Sequence, residues 1–411
     1  MRPRLFLPLF LSLLSLTPLP VLAAPAAWDE QQVVALFLDR SPQVEAAKQR
    51  IRAAEAEVLA ATLWPNPMVD LGREQVFSSG GPAEQNRLAV QLPWRVAGKR
   101  ELTQAIARAG VEAAEARARH EVAMLTREVR IAFARAAAAE AGARLLEEHL
   151  ETFARLIEVV TLRTKAGESA GLDLMRLRLA EAEMRARQSE ARAAAREARA
   201  RLAGLLGQPL EGALRREASG PVPSADALIA HALANRADLA ALKAEREQAE
   251  RTLALAGRLR WPDPALALGV LQTHEPTVQG LGYTAGLSWP LPVLDRGQAE
   301  TARAEAELAR LDVAIAAVER RLRAEVPVLR AALAERRAFA ERFEREALAS
   351  VPQVLQVAEL AYQEGHQDID ALLNAHRAAL ELRLRRLDLL AAARLAQLEL
   401  ERLLGAPMTD R

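Results

Sequence analysis

Histidine, aspartate and glutamate are the residues that could hold a metal or move a proton in this chain, and their spacing favours neither. The six histidines, His120, His149, His231, His274, His366 and His376, show no pairing suited to metal ligation, and the non-initiator methionines are scattered. His366, Asp368 and Asp370 form one small cluster at a predicted turn; they read as solvated turn residues, so neither a metal nor a cofactor is expected. No Gly-rich loop is placed to cradle phosphate, and no motif pairs a nucleophile with a base. The abundant Glu and Arg read as solvated helix faces with i,i+4 pairs. An enzyme is not expected, and function must come from shape and assembly.

Composition narrows the class. With 55 basic and 54 acidic side chains the formal charge is only +1, which gives no case for nucleic-acid binding. The chain has no cysteine, which excludes disulfides, thiolate metal sites and a lipid-bearing N-terminal cysteine. Aromatics make up 4% while Ala, Leu, Glu and Arg dominate, a composition of long helices. Arg2 and Arg4, the apolar run Leu5 to Leu16 and the small-residue site at Val21-Leu22-Ala23 predict a signal peptide over 1–23, removed on secretion. No later stretch is apolar for long enough to predict a transmembrane helix.

The elements that would position any site come in two related sets. Trp64-Pro65-Asn66-Pro67 returns as Trp261-Pro262-Asp263-Pro264, Gly72 as Gly269, Pro93 as Pro290, Gly167 as Gly365, and Leu206-Gly207 as Leu404-Gly405, all at nearly one offset. The chain reads as a unit of about 200 residues written twice. The first copy is 24–207, a Gly- and Pro-rich linker covers 208–223, and the second copy is 224–407.

Each copy opens with a predicted helix, Asp29 to Leu63 and Ser224 to Arg260. A long helix follows: in the first copy Val122, Leu125, Val129, Ala132, Ala136, Ala139, Ala143, Leu146, Leu150, Phe153, Ile157 and Val160 step by three and four, the 3.5-residue period of a coiled-coil seam. That predicts one rod from Lys99 to Lys165. The counterpart, Leu308 to Ala361, carries a stutter at Leu322 and Val326 beside Pro327, where a bend or local unwinding is expected. Gly-containing turns, at Gly167 and Gly365, lead to returning helices at Leu172 to Leu206 and Asp370 to Leu404.

Between opening and long helices the period changes to two. Leu88, Val90, Leu92 and Trp94, and Tyr283, Ala285, Leu287, Trp289 and Leu291, alternate as in strands, with partners at Met68 to Phe77 and Ala265 to Gln272 and loops at 78–86 and 273–280. Strands of about ten residues suit a tilted membrane barrel, which must close with about eight strands or more. Four strands cannot close, so several copies must pool them. Trp64, Trp94, Trp261 and Trp289 all fall where strand meets helix, as an interfacial girdle would. Packing at a crowded junction is the other reading for each of them.

The duplicated helix, hairpin, long helix and return helix resemble the TolC-like outer-membrane efflux family. The Trp64-Pro65-Asn66-Pro67 junction, Gly98-Lys99-Arg100 and Leu291-Pro292-Val293-Leu294-Asp295-Arg296 resemble its cobalt-zinc-cadmium (CzcC-like) branch. The resemblance implies a mainly α fold with a membrane β-barrel: a homotrimer with a twelve-stranded barrel in outer-membrane lipid and a twelve-helix periplasmic α-barrel. It implies docking on a periplasmic membrane-fusion adaptor and an inner-membrane RND pump, for export of heavy-metal cations. A duct for drugs or secreted proteins, and a periplasmic coiled-coil scaffold or adaptor, stay open as alternatives.

By the same resemblance a gate lies at the periplasmic tip. The family's acidic residue six positions after the first-copy glycine is Asp173 here, and its tyrosine three before the second-copy glycine is Tyr362, so an Asp173–Tyr362 hydrogen bond is implied. The family's arginine is Gln367, and two further aspartate positions are Ala371 and Asn374, which leaves Asp368 and Asp370 as the nearest acids. A closed state held more weakly than in the family is expected, since a neutral contact is worth about half a charge-assisted one. The alternative is that Asp173 caps its helix and Tyr362 packs at the turn.

Overall fold

The computed structural model describes residues 27–78, 81–165, 171–215, 220–275 and 279–405. The expected signal peptide, 1–23, and the turn at Gly167 lie outside the described residues. A short strand β1 (Ala27–Trp28) precedes α1 (Glu30–Arg40), α2 (Pro42–Thr62), β2 (Met68–Ser78), β3 (Gly81–Pro93), α3 (Lys99–Lys165) and α4 (Gly171–Leu206). After β4 (Ala213–Leu214) come α5 (Ala225–Asn235), α6 (Ala237–Ala256), β5 (Ala265–His274), β6 (Gln279–Ser288), α7 (Gln298–Phe343), α8 (Val351–Gln363) and α9 (Ile369–Leu404). No helix among the described residues is long and apolar enough to cross a membrane.

The long helix is as the seam predicts. α3 has 67 residues, about 100 Å of rod, and Val129, Ala136, Ala143, Leu146, Phe153 and Val160 along its seam are buried. It packs along α2, α4, α6 and α9, with Ala109, Ala113, Ala116, Ala136 and Ala137 buried along its length. α7 buries Leu311, Leu322, Val326, Leu333 and Ala340 in the same way.

Three expectations need correction. Each opening helix is two helices, broken at Ser41 (φ −70°, ψ 122°) and at Arg236 (φ −71°, ψ 120°). Pro42 excludes helical geometry at the residue before it, which explains the first break. The second has a tertiary cause: Arg236 donates to the Leu403 carbonyl and to the Asp238 carboxylate. α7 runs unbroken through Pro327; the interruption comes instead at a π-helical turn, Glu344–Leu348, followed by Pro352 in the first turn of α8. Finally, β3 begins at Gly81, because Pro82, Ala83 and the polar residues 84–87 continue the ladder without any apolar alternation to announce it.

Charge also enters the interior, against the expectation of solvated faces. Glu30, in the first turn of α1, accepts from Arg130 of α3 and from Arg394 of α9 at 2.6 Å. Arg130 also pairs with Glu401, whose other oxygen accepts from Gln397 at 2.8 Å. Burial would lower the Arg130 pKa, but the charges of Glu401 and Glu30 hold it above the ordinary value. The exposed pairs Arg185–Glu181 and Arg187–Glu183 do follow the i,i+4 pattern.

Candidate functional site

The four longer strands form one antiparallel sheet in the order β2-β3-β5-β6, leaving β2 and β6 as edges. Residues directly opposite in register share a face, so the pairings assign each row of side chains to one side. Leu71, Leu88, Val270 and Tyr283 form one row, Val69, Val90, Leu268 and Ala285 the next, and Leu92, Leu266 and Leu287 a third. These three rows are apolar and bare, with Leu71 78% exposed and Tyr283 87%, while the same face continues as Arg73, Asn86 and Gln272 and then Gln75, Glu84, His274 and Gln279. The opposite face carries Asp70, Ala89, Gly269 and Thr284, then Gly72, Arg87, Leu271 and Gly282, with Arg87 3.5 Å from Asp70. It is mostly small and polar, with Met68, Val76 and Leu271 as its larger apolar residues. Gly269 is required by crowding, since a Cβ there would lie 2.5 Å from the Leu88 carbonyl oxygen and 2.8 Å from Thr284 Oγ1.

The strand-to-helix junctions hold Trp64, Trp94, Trp261 and Trp289, each about half exposed. Two residues of the Gly98-Lys99-Arg100 motif lock them. Lys99, 7% exposed, reaches Asp263 of the second junction at 3.0 Å, and the same carboxylate oxygen accepts from the Val96 backbone at 2.9 Å. Arg100 stacks 4.7 Å above the Trp64 ring and donates to the Thr62 carbonyl at 2.9 Å. The motif was visible in the sequence; what it ties together was not.

At the far end of the helices, Tyr362 in the last turn of α8 is buried in a cluster with Phe153, Val160, Leu177, Ile369 and Leu372. Leu174 of α4 packs against this cluster, which puts the neighbouring Asp173 at the same tip. Gly365 turns the chain with φ +78°, a conformation natural to glycine. Asp368 caps α9 by accepting from the Ala371 backbone at 2.9 Å, and Asp370 pairs with Arg176 of α4 at 2.7 Å. His366 lies 3.4 Å from Glu364. The expected cluster of His366, Asp368 and Asp370 is therefore dispersed into a cap and two separate pairs. Gln367 is exposed and donates only its backbone N–H, to the Ala361 carbonyl at 3.2 Å.

One grouping had no counterpart in the sequence reading. His149 of α3 and His376 of α9, distant in the chain, face each other inside the helical body with ring centres 5.7 Å apart, both beside Phe153. Burial pushes the His149 imidazole down to about 4, with His376 and Arg383 acting in the same direction. Burial also lowers His376, against the opposing charge of Glu359. Burial thus favours the neutral form of both rings.

Residues 33–208 match the family model for outer membrane efflux protein. The chain is 29% identical over 276 residues to the nickel and cobalt resistance protein CnrC of Cupriavidus metallidurans, covering 65% of this chain and 63% of that protein. It is 30% identical over 149 residues to the nickel-cobalt-cadmium resistance protein NccC of Alcaligenes xylosoxydans xylosoxydans, covering 36% of this chain and 33% of that protein. The matches thus span less than two thirds of either relative. Among solved structures, the outer membrane protein VceC of Vibrio cholerae aligns with a TM-score of 0.70 at 18% identity, covering 92% of this chain and 97% of that one. Residues 33–208 are thus similar to the outer membrane efflux protein family, and the chain as a whole takes the fold of the outer membrane protein VceC.

Proposed function

We propose that the chain is the outer-membrane exit duct of a tripartite efflux system for heavy-metal cations. The observation that carries this reading is the sheet, with a bare apolar band on one face, mostly small and polar residues on the other, and two edges unpaired within the chain. Such a sheet is stable in hydrocarbon only when its edges are joined, because unpaired backbone groups there cost several kcal/mol each. Three copies, pairing β2 of one with β6 of the next, give a closed barrel of twelve strands within the usual size range. The two repeats, 24–207 and 224–407 with the linker 208–223, then each supply one hairpin to the wall and one long and one returning helix to the periplasmic tunnel.

In this arrangement Trp64, Trp94, Trp261 and Trp289 form the girdle at the periplasmic side of the membrane, an interface that suits their half-exposed indoles. The helical tip docks on a membrane-fusion adaptor and, through it, an RND pump. Asp173 and Tyr362 hold the tip closed, with the Asp370–Arg176 pair as a second tie between α9 and α4. The metal substrate is supported by the likeness to CnrC, a nickel and cobalt resistance protein, and NccC, a nickel-cobalt-cadmium resistance protein. Transport is passive here, with energy supplied at the pump.

The test is deletion of the gene followed by growth on nickel, cobalt, zinc, cadmium, copper and a drug panel. Reduced tolerance of one or more metals is expected. Unchanged metal tolerance with new drug sensitivity moves the protein to drug export, and recovery as soluble periplasmic protein contradicts the duct.

A further inference from the structure

The buried imidazoles of His149 and His376 have an unsolved chemical problem. His149 is 6% exposed and His376 2%, yet His149 Nε2 and His376 Nδ1 lack a hydrogen-bond partner, and His376 Nε2 meets Glu359 only at the long limit of one. A buried polar group left unpaired costs about 1–3 kcal/mol, so such groups call for an explanation. The nearest charged acceptor is Glu359 of α8, whose Oε1 lies 3.4 Å from His376 Nε2, too long for a good hydrogen bond. The same distance is what two ligands of one ion show. With metal–N and metal–O bonds of about 2.0–2.1 Å and a tetrahedral angle, the two donor atoms stand about 3.3 Å apart. Two imidazoles on one such ion have ring centres about 5–6 Å apart, and here they are 5.7 Å apart with planes inclined at 58°.

We propose that His149, His376 and Glu359 bind one divalent transition-metal ion, of the zinc, cobalt or nickel class, between α3, α8 and α9. Two neutral imidazoles and a carboxylate are a donor set for borderline metals, and a water completes the fourth position. Among the described residues no three ligands already stand converged, so the site closes on binding. Glu359, whose side chain is 41% exposed, is the ligand free to swing, and entry is from its side. Arg383 is the cation that acts on both histidines, and the carboxylate offsets it. Because α8 follows the π-helical turn at Glu344–Leu348, the ion would pin the most interrupted helix of the tip to its two continuous neighbours. The proposal rests on these three side chains and stands whether or not the chain exports metal.

The test uses the full-length chain in detergent, stripped with EDTA and titrated with Co2+, read by visible ligand-field absorption and by thermal melting. The parent is expected to bind one ion more per chain than His376→Gln or Glu359→Gln, and to melt higher with metal. In Glu359→Gln, whose changed group is partly solvated, affinity is expected to fall at least tenfold with the helical signal intact. Equal Co2+ uptake and an equal melting shift in the parent and Glu359→Gln overturn the proposal, assigning the metal to exposed histidines. Glu359→Gln decides the question even where His376→Gln folds poorly.

Discussion

Lys99, the first residue of the longest helix, is held 3.0 Å from Asp263, which belongs to the Trp261-Pro262-Asp263-Pro264 junction of the other half of the chain. The pair joins two strand-to-helix crossings that are far apart in sequence and fixes where both hairpins leave the helical body. The carboxylate also takes the Val96 N–H, so its loss leaves a buried ammonium and a backbone donor unpaired. Asp263→Ala is expected to cost about 2–3 kcal/mol, with Asp263→Glu partly restoring it. Thermal unfolding of the detergent-solubilised protein measures this; a change under 0.5 kcal/mol, on the order of ordinary surface substitutions, would show the pair to be incidental.

Gly72 and Gly269 occupy matching places in the two hairpins but differ in what surrounds them. A Cβ at Gly269 meets the Leu88 carbonyl at 2.5 Å, whereas at Gly72 it meets only the flexible Arg87 side chain at 3.6 Å or more. Gly269→Val should therefore break the β3–β5 ladder and reduce assembled protein in the outer membrane several-fold, while Gly72→Ala assembles as the parent does. Equal assembly of the two variants would mean that the sheet can shift to make room.

These differences mark the limit of the sequence. The seam of α3, the paired Trp-Pro junctions and the apolar halves of the strands were legible, because periodicity and repetition are local. Pro42 was a local marker for the break that the single helix from Asp29 to Leu63 passed over, whereas nothing local marked the one at Arg236, where the Leu403 carbonyl arrives from α9. The local unwinding expected beside Pro327 does not occur, since α7 stays helical through it, and the π-helical turn at Glu344–Leu348 had no marker before Pro352. Glu30, Arg130 and Glu401 looked like any other charges on an Arg- and Glu-rich helix until α1, α3 and α9 closed around them. His149 and His376 share no spacing because the packing of α3 against α9 is what joins them.

Asp238 supplies a pH dependence. Burial pushes its carboxyl up, but hydrogen bonds from Arg236 and the Arg236 charge more than offset this and hold it below the usual carboxylate range. A depressed folded-state pKa adds stability that is full above the unfolded value of about 4 and is lost as pH falls through the folded pKa. Asp238→Asn should thus melt below the parent at pH 7, by about 1–2 kcal/mol, and the gap should narrow as pH drops below about 4. A gap independent of pH would assign it to packing.

For the gate, Asp173→Ala and Tyr362→Phe are each expected to raise conductance in planar bilayers relative to the parent. Arg176→Ala, which frees Asp370, is expected to act in the same direction. If all three leave the channel as closed as before, these residues are caps and packing, and closure occurs elsewhere.

The central claim is that three copies close one barrel through the open edges of the sheet. The chain has no cysteine, so Leu71→Cys on β2 and Tyr283→Cys on β6 can be introduced together as the only thiols. Native outer membranes treated with a short bis-maleimide should then give a ladder of monomer, dimer and trimer that stops at the trimer. A ladder that never passes the monomer, or one that continues beyond three, would contradict the account.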